Sequence, residues 1–207
     1  MLRYLMLVSL VFIAATPRSE TAQESSVPED KASFSGATIL ALHNGLNRID
    51  LLGDGKQGIV FVARRENFNP HGHSSITFYI RASASSAFFS MPVAWHIVPF
   101  FGQTEEDYTE LLQTVQGADC TLADLRLIRT HRSGPASVIF AHRQLGEGYG
   151  GAESVQFDVY RLKENQERES GRPLYYFELE HTIRPKPPYC DVNEAFATEL
   201  GLGNAGH

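Results

Sequence analysis

A run of polar side chains at 64–75 carries the groups in this chain best suited to binding a polar ligand. An arginine there can hold a carboxylate through two parallel hydrogen bonds, asparagines offer donors and acceptors, and a histidine can move a proton near neutral pH. The run follows the apolar stretch 58–63, which predicts a buried strand and therefore a rigid support for the loop. The predicted ligand-binding residues are Arg65, Glu66, Asn67, Asn69 and His71.

The same run supports two other interpretations. In a purely structural loop, Arg65 and Glu66 would form a salt bridge and the asparagines would bond the backbone of the turn. In a hydrolase, His71, His73 and Glu66 would act with or without a metal ion. A His-x-His pair supplies only two of the three protein ligands that zinc usually takes, and Ser75 stands where a further acidic ligand would be expected.

Two carboxylates before this run suggest a calcium-binding turn. Asp50 and Asp54 lie in a stretch similar to calcium-binding loops, although Leu52 and Gly58 occupy positions where such loops carry oxygen ligands. Calcium takes six to eight oxygen ligands, so two carboxylates make a weak site. The alternative is a turn whose aspartates bond their own backbone. We therefore predict no cofactor, and a structural or interaction module stabilised by calcium stays an alternative function.

Signatures of β-lactam hydrolysis and of other serine hydrolases are absent from the sequence. There is no Ser-x-x-Lys, Ser-Asp-Asn, Lys-Thr-Gly or Gly-x-Ser-x-Gly motif, so we assign no catalytic residue and favour a non-catalytic protein. Lys and Arg number 18 against 24 Asp and Glu, giving a net charge of −6 without a basic stripe. This balance argues against a nucleic-acid partner.

The first 22 residues predict a cleavable secretory signal. Arg3 precedes an apolar run of about a dozen residues, which is too short to span a bilayer, and small residues follow it. The polar stretch 23–33 predicts a flexible leader, and 34–207 a single globular domain without a membrane span. We therefore predict a periplasmic protein, in which Cys120 and Cys190 would form a disulfide.

The elements predict an α+β fold with a predominantly antiparallel β-structure, in one or two sheets, and two or three peripheral helices. Short apolar or alternating runs separated by turn residues favour antiparallel strands. One helix is predicted to begin at Thr104 and end at Gly117, because apolar residues between them fall at helical spacing. A second is predicted over 191–200, with Asp191 as its N-cap and Gly201 as its end.

Several stretches resemble the CarG-like family, which is named for a carbapenem intrinsic resistance protein. They are Asn-Gly-Leu-Asn-Arg-Ile-Asp at 44–50, Asp-Gly at 54–55, Arg-Glu-Asn-Phe-Asn-Pro-His at 65–71 and Asp-Cys-Thr-Leu-Ala-Asp-Leu-Arg-Leu at 119–127. The resemblance implies a periplasmic protein that protects a bacterium from carbapenems without lactamase motifs. It also implies a β-lactam or a cell-wall component as the binding partner, and it supplies no catalytic residues.

Overall fold

A computed structural model describes residues 34–82, 94–104, 106–146, 148 and 150–203. The predicted signal (1–22) and leader (23–33) lie outside these ranges. The described chain contains twelve strands and one helix: β1 Thr38–Ile39, β2 Gly45–Ile49, β3 Gly58–Arg65, β4 His73–Ala82, β5 Ala94–Ile97, β6 Phe100–Phe101, β7 Tyr108–Thr109, β8 Leu112–Gln116, β9 Thr121–Arg129, β10 Ser137–Arg143, β11 Val155–Glu164, β12 Tyr175–Ile183 and α1 Val192–Leu200.

The strands form one mixed sheet in the order β2-β3-β4-β8-β9-β10-β11-β12-β6-β7, with β1 on β9 and β5 on β4. The predicted α+β class with two or three helices is wrong, because the described chain is mostly β with one short helix. The expectation of antiparallel pairing needs one correction as well, since β6 and β12 run parallel. The chain reaches that parallel position by continuing from β5, which is antiparallel to β4.

The predicted helix over 104–117 is wrong, because this segment contains two separate strands. Strand β7 pairs with β6, and strand β8 pairs with β4 and β9. Leu112 lies directly opposite Ile76 on β4, and both side chains are buried. Tyr108 and Leu111, which would have shared the buried face of a helix, remain exposed. Pairing with β4 buries Leu112 and fills the hydrogen bonds of the sheet, so tertiary context outweighs the helical spacing.

The predicted helix at 191–200 is confirmed. The Asp191 side chain accepts a hydrogen bond from Asn193 N, and Gly201 ends α1 with a φ of 68°. The other oxygen of Asp191 accepts from Thr121 N at 3.1 Å, which joins the helix cap to the first residue of β9. The predicted disulfide between Cys120 and Cys190 is also confirmed, with a Cα–Cα distance of 5.6 Å at the same junction.

The larger core lies inside the curved sheet. The segment 94–101 contains β5, which pairs with β4, and β6, which pairs with β12. It therefore connects the two ends of the row of strands β4-β8-β9-β10-β11-β12. The rings of Phe100 and Phe177 stack inside at 4.6 Å, with Phe78 edge-on to both. All three side chains are almost completely buried. This aromatic cluster therefore fixes where the two ends of the sheet meet.

A second core lies on the outer face of β9–β11, where α1 packs. Phe157 of β11 contacts Phe196 of α1 with ring centroids 5.1 Å apart, and both are fully buried. Within the part of the chain that the structure describes, no helix has the length and hydrophobicity needed to cross a membrane.

Alkaline pH is expected to destabilise the fold through Tyr160, which packs on Phe100 inside the sheet. Burial, together with the charges of Asp158 and Asp107, raises the pKa of Tyr160 from 10.0 to about 12. The folded chain thus holds this proton more tightly than the unfolded chain. The contribution of protonated Tyr160 to the unfolding free energy is complete below pH 10 and is lost as the pH rises toward about 12. Urea unfolding across this pH range should show that the unfolding free energy of Tyr160→Phe falls less steeply with pH than that of the unaltered protein. Equal slopes in the two proteins would contradict the prediction.

Candidate functional site

A cleft of about 400 Å³ opens where β8 separates from β9. The two strands pair only at the end of β8, through Val115 and Gln116. The segment 39–44, which leads from β1 toward β2, then enters the widening gap, and Leu40 N donates to Leu127 O on β9. The cleft is therefore a built-in gap in the sheet, bordered by β3, β4, β8, β9 and the segment 39–44.

The interior of the cleft is apolar and belongs to the larger core. Leu42, Val62, Ile76, Leu125 and Leu127 contribute to its lining, and all five lie in or against the core cluster. These side chains are held by the sheet and do not depend on a mobile loop. A ligand in the cleft would therefore meet a preformed apolar surface.

Polar groups surround the mouth of this apolar interior. Arg64 of β3, Ser74 of β4, and Thr114 and Gln116 of β8 line it together with Asn44. Arg64 Nε lies 3.7 Å from Glu66 Oε2, but both side chains are about half exposed, so this ion pair is weak. Among the described residues, neither Nη atom of Arg64 makes a hydrogen bond. The guanidinium can therefore meet an anionic group of a ligand.

Gly72 allows Arg64 and Gln116 to approach each other across the rim. Gly72 is buried, and its carbonyl accepts from Gln116 N at 2.9 Å. A Cβ at position 72 would lie 3.1 Å from Arg64 Nη2 and 3.7 Å from Gln116 Oε1. The end of the loop 66–72 is thus packed against the cleft, although most of the loop is exposed.

The β9 wall of the cleft contains a buried arginine. Arg126 is 3% exposed and donates to Asp124 Oδ2 at 2.9 Å, to the carbonyl of Leu125 at 2.9 Å and to Asn193 Oδ1 at 2.6 Å. Its guanidinium also stacks over the ring of Phe196 at 4.5 Å. Since Asp124 neutralises Arg126, this wall supplies structure and hydrogen-bonding groups rather than net positive charge.

Asn47 shapes the opposite wall. Its amide oxygen accepts from His43 N at 2.8 Å, and its amide nitrogen donates to the carbonyls of His43 at 2.7 Å and Val60 at 3.2 Å. The side chain is buried and fixes the backbone just before Asn44. The side chain of Asn44 in turn accepts from Arg64 N at 3.3 Å. Asn47 therefore positions the cleft wall without lining it.

Replacing Asn47 with alanine is expected to cost about 2 kcal/mol of unfolding free energy, because the backbone groups of His43 lose their partners. Urea denaturation measures the change. Asn69→Ala is the matched control, since Asn69 makes an exposed hydrogen bond within its own loop and should cost little. Equal losses in the two variants would contradict the role given to Asn47.

The predicted ligand-binding residues lie beside the cleft, and none lines it. Arg65 follows Arg64 on β3, so its side chain points to the opposite face of the sheet. Glu66 Oε1 accepts from Phe68 N, and Asn69 Oδ1 accepts from His71 N. Asn67 Nδ2 donates to the carbonyl of His71 at 2.7 Å. The loop thus uses these side chains to hold its own backbone.

The other predicted groups are also placed within local structure. Asp50 accepts from three backbone N–H groups, those of Gly53, Asp54 and Gly55. Asp54 bonds both the backbone and the side chain of Lys56, which lowers the pKa of Asp54 against the opposing effect of its burial. His73 lies opposite Arg65 on the outer face. The described residues contain no group of three or more His, Cys, Asp or Glu arranged to hold a metal ion.

Sequence reasoning missed the residues that line the cleft, above all Arg64 and Arg126. The alternation of β3 carried a usable signal, because Val60, Val62 and Arg64 share the face that points to the core. No local pattern indicates Arg126, since its partner Asn193 is 67 residues away in the chain.

The sequence profile of a family described as carbapenem resistance protein CarG-like matches residues 42–198. The chain belongs to the CarG-like family. The matched region includes every strand from β2 to β12 and most of α1, so it contains nearly the whole cleft. A search among curated proteins finds no match.

The fold of this CarG-like protein is similar to that of CarG, whose crystal structure is known. The two share 20% sequence identity with a TM-score of 0.60, over 81% of this chain and 99% of the other. At this level of identity the likeness establishes a common fold. The suspected membership of the CarG-like family is confirmed by the profile match.

Proposed function

We propose that this CarG-like protein is an exported, non-catalytic protein that gives tolerance to carbapenems by binding the drug in the cleft between β8 and β9. Membership of a carbapenem-resistance family supports the antibiotic class. The disulfide between Cys120 and Cys190 supports export, because disulfides persist in oxidising compartments such as the periplasm. The predicted signal at 1–22 points in the same direction.

The observation that carries the proposal is the combination of an apolar interior with Arg64 at its mouth. A volume of about 400 Å³ lies within the range of small-molecule sites. The bicyclic core of a carbapenem carries a carboxylate, which a guanidinium can hold through two parallel hydrogen bonds. Ser74, Thr114 and Gln116 offer hydroxyl and amide groups to the remaining polar atoms of the drug.

Glu66, Asn67, Asn69 and His71 remain predicted contacts at the rim. The loop that contains them reaches the cleft at Gly72, next to Arg64 and Gln116. Asn67→Ala removes the hydrogen bond that spans this loop and should weaken the rim without touching the apolar interior.

Carbapenem susceptibility of cells expressing the protein tests the proposal. Arg64→Gln should abolish the gain in tolerance, while Arg65→Gln should retain it, because the neighbouring arginine points to the other face. The two variants carry the same change in charge at adjacent positions. Equal tolerance in the two variants would contradict a role for the cleft. Loss of drug absorbance upon incubation with purified protein would contradict a non-catalytic function.

A further inference from the structure

The outer face of β2–β5 differs in chemistry from the rest of this acidic chain. Strands β2, β3, β4 and β5 contain no Asp, Glu or Lys, although the whole chain has a net charge of −6. The inner face of β2–β4 packs on the larger core, while the outer face is open to solvent. We call this outer face, made by the side chains that point away from the core, the arginine-aromatic face.

Strand register places aromatic and apolar side chains together on the arginine-aromatic face. Leu46 lies opposite Phe61, and Arg81 lies opposite Trp95, so each pair shares a face. Leu46, Phe61 and Trp95 are 54%, 45% and 44% exposed. Large apolar side chains this exposed and grouped on one face of a sheet mark an interaction surface.

Three arginines stand among these apolar side chains. Arg48 lies opposite Ile59, Arg65 opposite His73, and Arg81 opposite Trp95. All three arginines are exposed. Within the described ranges, none of the three forms a hydrogen bond or an ion pair. Their guanidinium groups are therefore available to oxygen atoms of an anionic partner.

We propose that the arginine-aromatic face binds an anionic lipid surface. Guanidinium groups hold lipid phosphates, and Trp, Phe and Leu side chains enter the boundary between headgroups and acyl chains. A bilayer presents many phosphates and needs no partner of complementary shape. Self-association through this face would bring two positively charged faces together. The acidic residues elsewhere in the chain repel the anionic lipid surface only weakly, because salt screens charges beyond about 8–10 Å.

Trp95 is the only tryptophan in the chain, so its fluorescence reports directly on this face. The full-length protein should sediment with vesicles of phosphatidylethanolamine and phosphatidylglycerol at about 0.1 M salt, where charges more than about 10 Å away are screened, with a blue shift of Trp95 emission. Phosphatidylcholine vesicles should give neither effect. Arg48→Gln, Arg65→Gln and Arg81→Gln together should weaken binding at least about tenfold, since each arginine contributes to attraction by an anionic surface.

The matched control is Arg132→Gln, Arg161→Gln and Arg184→Gln, which makes the same change in charge at exposed positions outside this face. This control variant should bind anionic vesicles as tightly as the unaltered protein does. Both triple variants keep residues 1–33, so any contribution of that segment to vesicle binding is the same in both. Unchanged Trp95 emission with anionic vesicles, or equal loss in the two triple variants, would overturn the proposal. The result is independent of drug binding, which depends on Arg64 in the cleft.

Discussion

Removing the disulfide by Cys120→Ala with Cys190→Ala is expected to lower the unfolding free energy by about 4 kcal/mol. The two residues are 70 positions apart, so the bond restricts a long loop in the unfolded chain. In the folded chain it joins the start of β9 to the cap of α1, where Asp191 already bonds Thr121 N. The native contacts should therefore survive in the variant, and the loss should come mainly from a less restricted unfolded state.

Urea unfolding with and without a reducing agent measures this effect. Reductant should bring the unaltered protein to the stability of the double variant and should leave the variant unchanged. A loss below about 1 kcal/mol, or a further loss when the variant is treated with reductant, would contradict the account.

Arg126→Ala is expected to cost about 3–5 kcal/mol, because it leaves a buried ion pair with one partner. Asp124 would lose its guanidinium, while Asn193 and the carbonyl of Leu125 would lose donors. The ring of Phe196 would also lose the group that covers it, which loosens the contact between β9 and α1. The same change removes a side chain that lines the cleft and so widens the cleft. Weaker ligand binding should therefore accompany the loss of stability.

Arg126→Lys separates the charge from the geometry of the guanidinium. Lysine can pair with Asp124 but cannot reproduce the planar guanidinium that donates to three acceptors. The unfolding free energy of the Arg126→Lys variant should therefore fall between those of the alanine variant and the unaltered protein. Thermal and urea unfolding provide the comparison. An alanine variant as stable as the unaltered protein would show that Arg126 does not hold this wall.

Local patterns predict an element well when its signals lie within a few positions of each other. Strand β3 begins where the predicted strand 58–63 begins, and α1 carries its own cap and end signals. The segment 104–117 has helical spacing as well, but β4 offers Leu112 a buried partner that no local pattern reveals. The parallel contact of β6 with β12 depends on the same kind of distant pairing.

The candidate site was harder to predict because it is a gap between strands. The sequence pointed to Arg65, which directly follows the cleft-lining Arg64, and a shift of one residue reverses the face of a strand. Arg64 therefore faces the cleft while Arg65 faces outward. Arg126 and Asn193 meet only when α1 packs on β9, so sequence spacing alone could not bring them together.

Calorimetric titration of the purified protein with meropenem tests drug binding in the cleft most directly. The unaltered protein should bind one drug molecule, Arg65→Gln should bind it equally well, and Arg64→Gln should bind it about 10- to 100-fold more weakly through loss of charge-assisted hydrogen bonds. No heat of binding from the unaltered protein, or the same affinity in the Arg64 variant, would contradict the proposed function.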